Sequence, residues 1–168
     1  MASPTDDQPV LDHHAAARKR MVDSQIRPNK VNDPRILAAM RRLPREAFVP
    51  AAAASRAYAD EDVPLGNGRY LMEPMVIARM VQAAAVLPGD RALVVAAGTG
   101  YGAALLAACG AEVTALEPDE ALLAIARPAL AKAGLAVTLV ARPLANGWNA
   151  NAPYDVILLS GAVGRVPD

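Results

Sequence analysis

The sequence predicts an α/β fold in which a parallel sheet carries helices on both faces and is preceded by an N-terminal helical segment. Three observations predict it. From Glu73 onward, short apolar runs alternate with helix-patterned stretches, as they do where parallel strands are joined by right-handed crossovers. A glycine turn, Ala97-Gly98-Thr99-Gly100, follows the first of those runs. Alanine is abundant while aromatic residues make up 4%, which suits helices packed closely on a sheet and leaves no stacking platform for bases.

In chain order, residues 1–14 read as a polar tail, with Asp6, Asp7 and Asp12 and no apolar stretch of signal-peptide length. Ala15 to Gln25 is helix-compatible, and Pro28-Asn29 with Asn32-Asp33-Pro34 marks a break. Asp33 is placed to cap a second helix with Pro34 at its first position. Ile36, Leu37, Met40 and Leu43 then recur at the spacing of a buried stripe until Pro44 ends it. Phe48-Val49-Pro50 leads into a short alanine-rich helix through Ala59. Asp60 to Met72, with Pro64, Gly66 and Gly68, reads as a long loop, where compact domains often carry function. Met75 to Ala85 reads as a helix and Leu87-Pro88-Gly89-Asp90 as a turn. Strands follow at 92–96, 112–116, 137–140 and 155–159, with helices at Ala103–Cys109 and Asp119–Ala133 and a loop through Trp148. There is no internal repeat.

The 168 residues suit one domain with a real core. Seventeen basic side chains balance 17 acidic ones, so nothing suggests a partner of nucleic acid or anionic membrane; a small molecule or a peptide is expected. No window reaches the roughly 18 apolar residues of a membrane span. The single cysteine, Cys109, lies in an apolar run and reads as a buried thiol, and a cytoplasmic location is expected. His13-His14 has no further histidine and no second cysteine to complete a metal site, so no metal is expected.

Gly98-Thr99-Gly100 is the first candidate site. Glycines at the end of a strand let backbone N–H groups approach a ligand closely, although a bare structural turn would look the same. Glu117, which ends the next strand, strengthens the reading, because an acid about 20 residues past such a turn is placed to accept hydrogen bonds from a ribose diol. The alternative for Glu117 is a solvated carboxylate at a helix start, beside Pro118 and Asp119. Nicotinamide dinucleotides and S-adenosylmethionine both fit this pattern. The dinucleotide fingerprint prefers a third glycine where Ala103 stands, which favours the methyl donor.

Longer words sharpen the choice. Met21-Val22-Asp23-Ser24-Gln25-Ile26-Arg27, Ala39 to Pro50 (Ala-Met-Arg-Arg-Leu-Pro-Arg-Glu-Ala-Phe-Val-Pro) and Ala57-Tyr58-Ala59-Asp60 resemble the N-terminal segment of the protein-L-isoaspartate O-methyltransferase family. Pro64-Leu65-Gly66-Asn67-Gly68 and Glu73-Pro74-Met75 resemble its substrate loop, Gly98-Thr99-Gly100-Tyr101 its cofactor motif, and Glu117-Pro118-Asp119 its ribose-binding strand end. Pro153-Tyr154-Asp155-Val156-Ile157 resembles its fourth strand. The similarity covers about Met21 to Val163.

The resemblance implies a Rossmann-like S-adenosylmethionine-dependent methyltransferase fold. It divides the chain into a helical segment with substrate loop at 15–72 and a methyltransferase core at 73–168. The implied activity is transfer of a methyl group to the carboxylate of isoaspartyl residues in a protein or peptide, as a step of protein repair. It also implies cofactor contacts from Ala96, Ala97, Gly98, Thr99, Gly100, Tyr101, Glu117 and Pro118, and substrate contacts from Gly68, Arg69, Glu73 and Pro74.

Several positions depart from the family. Val94 stands where it has an acid, Ala96 where it has a glycine, and Pro143, after Arg142, where it has an aspartate for the adenine amino group. Met72 occupies the place of the catalytic-site serine and Glu73 that of a glutamine. A thioether donates no hydrogen bond; Glu73 would repel a substrate carboxylate if it faced it and be harmless if it faced solvent. A degenerate, non-catalytic binding protein and a methyltransferase with a different acceptor are therefore the alternatives. Four strands are read where the resemblance implies seven, so the core is expected to be incomplete at its C-terminus. The apolar strand at 155–159 is then expected to expose an edge through which the chain self-associates.

Overall fold

The computed structural model describes residues 8–165, so residues 1–7 of the expected tail lie outside the described residues. The first helix, α1, spans Gln8–Met21 and so begins before Ala15, placing His13 and His14 on a helix, where the His14 ring lies 6.1 Å from that of Tyr58. Arg18, Lys19 and Arg20 occupy its last turn, where positive charge suits the helix dipole. A π-helical turn at Val22–Ile26 and a 3-10 turn at Arg27–Asn29 follow and bury Val22 and Ile26. The second helix, α2, spans Pro34–Arg42. Asp33 caps it by accepting the Arg35 N–H at 2.8 Å, and Leu43, forced extended before Pro44, ends it. Arg45–Phe48 and Ala51–Arg56 are 3-10 rather than α-helical, each opening after a proline.

The expected loop at 60–72 contains a β-hairpin. Strands β1 (Val63–Gly66) and β2 (Arg69–Leu71) pair antiparallel across Asn67-Gly68, whose φ values of 51° and 70° are those of the tight turn that Asn-Gly favours. Then come α3 (Pro74–Ala84), β3 (Arg91–Val95), α4 (Tyr101–Ala108), β4 (Glu112–Leu116), α5 (Glu120–Ala133), β5 (Val137–Val140) and β6 (Val156–Leu159). α4 opens two residues earlier than expected, directly from Gly100. Helix α5 tolerates Pro128 because it lies on the exposed face, where water can serve the carbonyl that loses its N–H partner.

The main sheet is wholly parallel, in the order β5-β4-β3-β6. Side chains alternate across it. Ala92, Val94, Val113, Ala115 and Leu158 join the large core with buried residues of the helices and N-terminal segment. On the other face, Leu93, Leu116 and Val140 are covered by Leu144, Trp148 and Tyr154 from the 3-10-containing connection between β5 and β6. Consecutive crossovers through α4 and α5 step the chain toward β5. The return to β6 creates the switch point beside β3 at whose carboxyl end a ligand site forms. No helix among the described residues is long and apolar enough to cross a membrane.

Candidate functional site at the carboxyl edge of the sheet

β3 ends at Val95, and the chain turns sharply through Ala96 (φ 57°), Gly98 (φ 61°) and Gly100 (φ 86°) before entering α4. The turn is fastened to the sheet by the Ala97 N–H, which donates to Leu116 O at 3.1 Å, and closed on itself by Gly100 N–H to Ala97 O at 2.9 Å. A Cβ on Gly100 would stand 3.5 Å from that of Ala126, so the turn lies close against α5. Thr99 is buried, and its hydroxyl has no hydrogen-bond partner among the described residues. An orphaned buried hydroxyl on a glycine turn is what a ligand contact would satisfy.

Glu117 follows β4 and is wholly buried. Its Oε2 accepts the Gly98 N–H at 2.8 Å and its Oε1 the Asp119 N–H at 3.0 Å, so the carboxylate ties the glycine turn to the start of α5. Arg69 of β2 completes its surroundings. Nη1 donates to Oε1 at 3.0 Å and Nη2 to Oε2 at 2.8 Å, with Nη2 also 3.2 Å from Ala96 O. These hydrogen bonds hold the Arg69 guanidinium still further above its already high ordinary pKa. The hairpin is fixed at two more points: Asn67 Nδ2 donates to Asp119 Oδ2 at 3.1 Å, and Leu65 Cδ1 would lie 3.6 Å from a Cβ on Gly98. Asp119 is held below the usual carboxylate range, first by Asn67 and then by the Ala121 N–H that it caps.

Arg69 and Glu117, read from the sequence as substrate-side and cofactor-side residues, thus meet directly. Ala96, Ala97 and Thr99 are buried around the turn, and Pro118 is exposed beside Glu117. Gly68 is exposed at the hairpin tip, Met72 and Glu73 are half-buried, and Pro74 is buried at the first position of α3. The Glu73 side chain does not cap α3; its backbone N–H donates to Asp62 Oδ1 at 2.8 Å. Val94 is wholly inside the core, whereas Arg142 and Pro143 are exposed after β5.

Arg45 went unread as a site residue. It is wholly buried, donating to Ala57 O and to Met72 O, both at 2.6 Å, with its guanidinium carbon 4.8 Å from the centre of the Tyr101 ring. It therefore joins the N-terminal segment, the segment bearing Met72 and the first residue of α4. Burial pushes its pKa down and pushes that of the Tyr101 phenol up. Nothing in Arg-Arg-Leu-Pro-Arg-Glu distinguishes this arginine from its solvated neighbours; only the fold does. Among the described residues no three His, Cys, Asp or Glu side chains gather as a metal site.

A parallel sheet with its switch point here, a glycine turn opening into a helix, and a buried acid ending the neighbouring strand suit a nucleoside-bearing cofactor, and the family and fold matches make the chain an S-adenosylmethionine-dependent methyltransferase. The residues fit that cofactor, since Thr99 offers an unused hydroxyl and Glu117 a buried carboxylate. The chain belongs to the protein-L-isoaspartate(D-aspartate) O-methyltransferase family, whose model matches residues 16–168.

It is 45% identical over 166 residues to a protein-L-isoaspartate O-methyltransferase of Methylorubrum extorquens, covering 99% of this chain and 72% of that protein. It is 46% identical over 153 residues to one of Methylorubrum populi, covering 91% and 72%. A solved protein-L-isoaspartate O-methyltransferase superposes with a TM-score of 0.76 at 25% identity, over 89% of this chain and 50% of that one. A Plasmodium falciparum protein assigned the same activity, solved with S-adenosyl-L-homocysteine, shares the fold with a TM-score of 0.72 at 16% identity, over 92% and 76%.

Proposed function

We propose that this chain binds S-adenosylmethionine and methylates the carboxylate of isoaspartyl residues in proteins or peptides, acting in the cytoplasm as a step of protein repair. The observation that carries this reading is the buried Glu117 carboxylate beside the Gly98–Gly100 turn, with the hairpin of Arg69 folded over both.

The cofactor, when bound, supplies a methyl group on a sulfonium, a good electrophile for a carboxylate. The chain's own residues bind and orient. Glu117 would accept hydrogen bonds from the ribose diol, and the Ala96–Tyr101 turn would offer backbone N–H groups and the Thr99 hydroxyl. Gly68, Arg69, Glu73 and Pro74, with Met72 in the place of the family serine, bound the acceptor side. A carboxylate needs no base to become a nucleophile, so positioning and exclusion of water carry the catalysis.

One observation favours the second reading, a binding protein without the chemistry. Met72 offers no donor, and Arg69 is engaged with Glu117. We also propose that the chain self-associates through β6.

Two assays test the reading together. Calorimetric titration with S-adenosylhomocysteine should show binding, and labelled methyl should pass to an isoaspartyl peptide and not to its aspartyl counterpart. No binding would leave the non-catalytic alternative; binding with methylation of another acceptor only would change the substrate.

A further inference from the structure

The Glu117 carboxylate has no room for a ligand while Arg69 is in place. A carboxylate offers about four lone-pair positions, and Glu117 uses that many. Oε1 accepts from Arg69 Nη1 and Asp119 N, and Oε2 from Arg69 Nη2 and Gly98 N. The two backbone donors belong to the turn and the helix cap that build the site, so they cannot leave without dismantling it. The guanidinium can. Its side chain is 27% exposed while that of Glu117 is fully buried, and it sits on a short hairpin whose tip, Gly66 to Gly68, is exposed. Apart from Glu117, its one hydrogen bond among the described residues is to Ala96 O at 3.2 Å.

The freed guanidinium is also the group that the acceptor side lacks. Along the whole segment 63–74, Arg69 is the single cationic side chain, while Met72 donates nothing and Glu73 is acidic. Arg45 is wholly buried, with Nε and Nη2 on two carbonyls and Nη1 enclosed without a partner, so it is not presented to an acceptor that arrives from solvent. A guanidinium displaced from one carboxylate is best satisfied by another, in the same bidentate geometry.

We propose that Arg69 is exchanged between Glu117 and the carboxylate of the methyl acceptor. A nucleoside that binds Glu117 through its diol releases the arginine, which then recognises the acceptor carboxylate, so cofactor must bind before acceptor. Arg69 is on this view both a competitor of the cofactor and the specificity-determining residue for an anionic acceptor. The inference rests on the function proposed above.

The test compares the unaltered chain with Arg69→Met and Arg69→Lys, each first shown to melt cooperatively. Removing the competitor should tighten S-adenosylhomocysteine binding about tenfold in Arg69→Met, because the conformational penalty on the binding-competent state is lifted. The same variant should raise KM for an isoaspartyl peptide on the order of 100-fold with a much smaller change in kcat, and Arg69→Lys should recover part of the KM. In the unaltered chain, the peptide should give binding heat only when S-adenosylhomocysteine is present. Weaker S-adenosylhomocysteine binding by Arg69→Met, or peptide binding that ignores the nucleoside, overturns the exchange while leaving the methyltransferase reading intact. Failure of both the unaltered chain and Arg69→Met to bind S-adenosylhomocysteine overturns both.

Discussion

Single residues set what the site can do. Replacing Glu117 with alanine deletes the buried acceptor for the ribose and strands the Gly98 and Asp119 N–H groups. S-adenosylhomocysteine binding should therefore weaken by roughly 1–3 kcal/mol, as measured by calorimetry on protein that still melts cooperatively; unchanged affinity would remove Glu117 from the site. At Met72 the expected change is a gain. Its carbonyl is already fixed by Arg45, so Met72→Ser would add a hydroxyl to a held segment and should raise kcat/KM on an isoaspartyl peptide about tenfold. No gain with cofactor still bound would shift the explanation to Glu73 or Pro143. Ala96 has a positive φ of 57°, a conformation that costs an L-residue roughly 1–2 kcal/mol and glycine much less. Ala96→Gly should raise stability in urea melts by roughly 0.5–1 kcal/mol after glycine's larger unfolded-state entropy is subtracted, and a loss would show that the alanine methyl packs usefully. The sequence singled out all three positions: the glycine turn and the acid at a strand end are visible in residue types, whereas the hydroxyl missing at Met72 and the glycine missing at Ala96 show only against the family resemblance. It did not reveal that Arg69, 48 positions away, grips Glu117, because nothing local encodes which arginine reaches which acid.

At the scale of elements, legibility followed local chemistry. Asp33-Pro34 announced the start of α2, and Asp33 accepts the Arg35 N–H while also pairing with the Arg35 guanidinium at 2.7 Å. The Arg35 side chain first, and the backbone N–H after it, hold the Asp33 carboxyl below its ordinary pKa. A depressed folded value means that Asp33 stabilises the fold above the unfolded pKa of about 3.9, and that this contribution is lost as pH falls through that value toward the folded one. Asp33→Asn, which keeps the cap, should therefore show a flatter loss of urea stability than the unaltered chain as pH is lowered below about 5. Asp33→Ala should cost about 1 kcal/mol at neutral pH. Parallel losses in the unaltered chain and Asp33→Asn would show that other carboxyls control the acid response. The hairpin was less legible. Pro64, Gly66 and Gly68 interrupt the alternation that identifies strands, and the Asn67-Gly68 turn signal lacks the flanking apolar alternation that makes it decisive. The 3-10 turn at 51–56 reads as an alanine-rich helix because alanine favours helices generally, whereas the short 3-10 turn at 45–48, opening after Pro44, carries no such signal.

The whole molecule turns on how the sheet is bounded. The order β5-β4-β3-β6 makes β6 an edge, paired to β3 from Ala92↔Val156 to Val95↔Leu159 and, among the described residues, to no strand on its other side. Leu158 faces the large core, but Ile157 is 65% exposed and Val163 nearby 47% exposed. Val156-Ile157-Leu158-Leu159 contains no charge, proline or glycine, the devices by which edge strands ordinarily discourage pairing. The sequence announced this run as a strand built for burial on both faces, and in the fold one of its edges and part of one face are exposed. The 168-residue chain as written should therefore self-associate through β6, giving a sedimentation coefficient that rises with concentration. Ile157→Lys places a charge on the bare face and should return it to a monomer at the same concentration with its circular dichroism unchanged. Slow hydrogen exchange at 156–159 that weakens on dilution would locate the contact there. A chain that stays monomeric at every concentration, with those amides protected throughout, would mean that the edge is covered within the monomer and would end the proposal of association through β6.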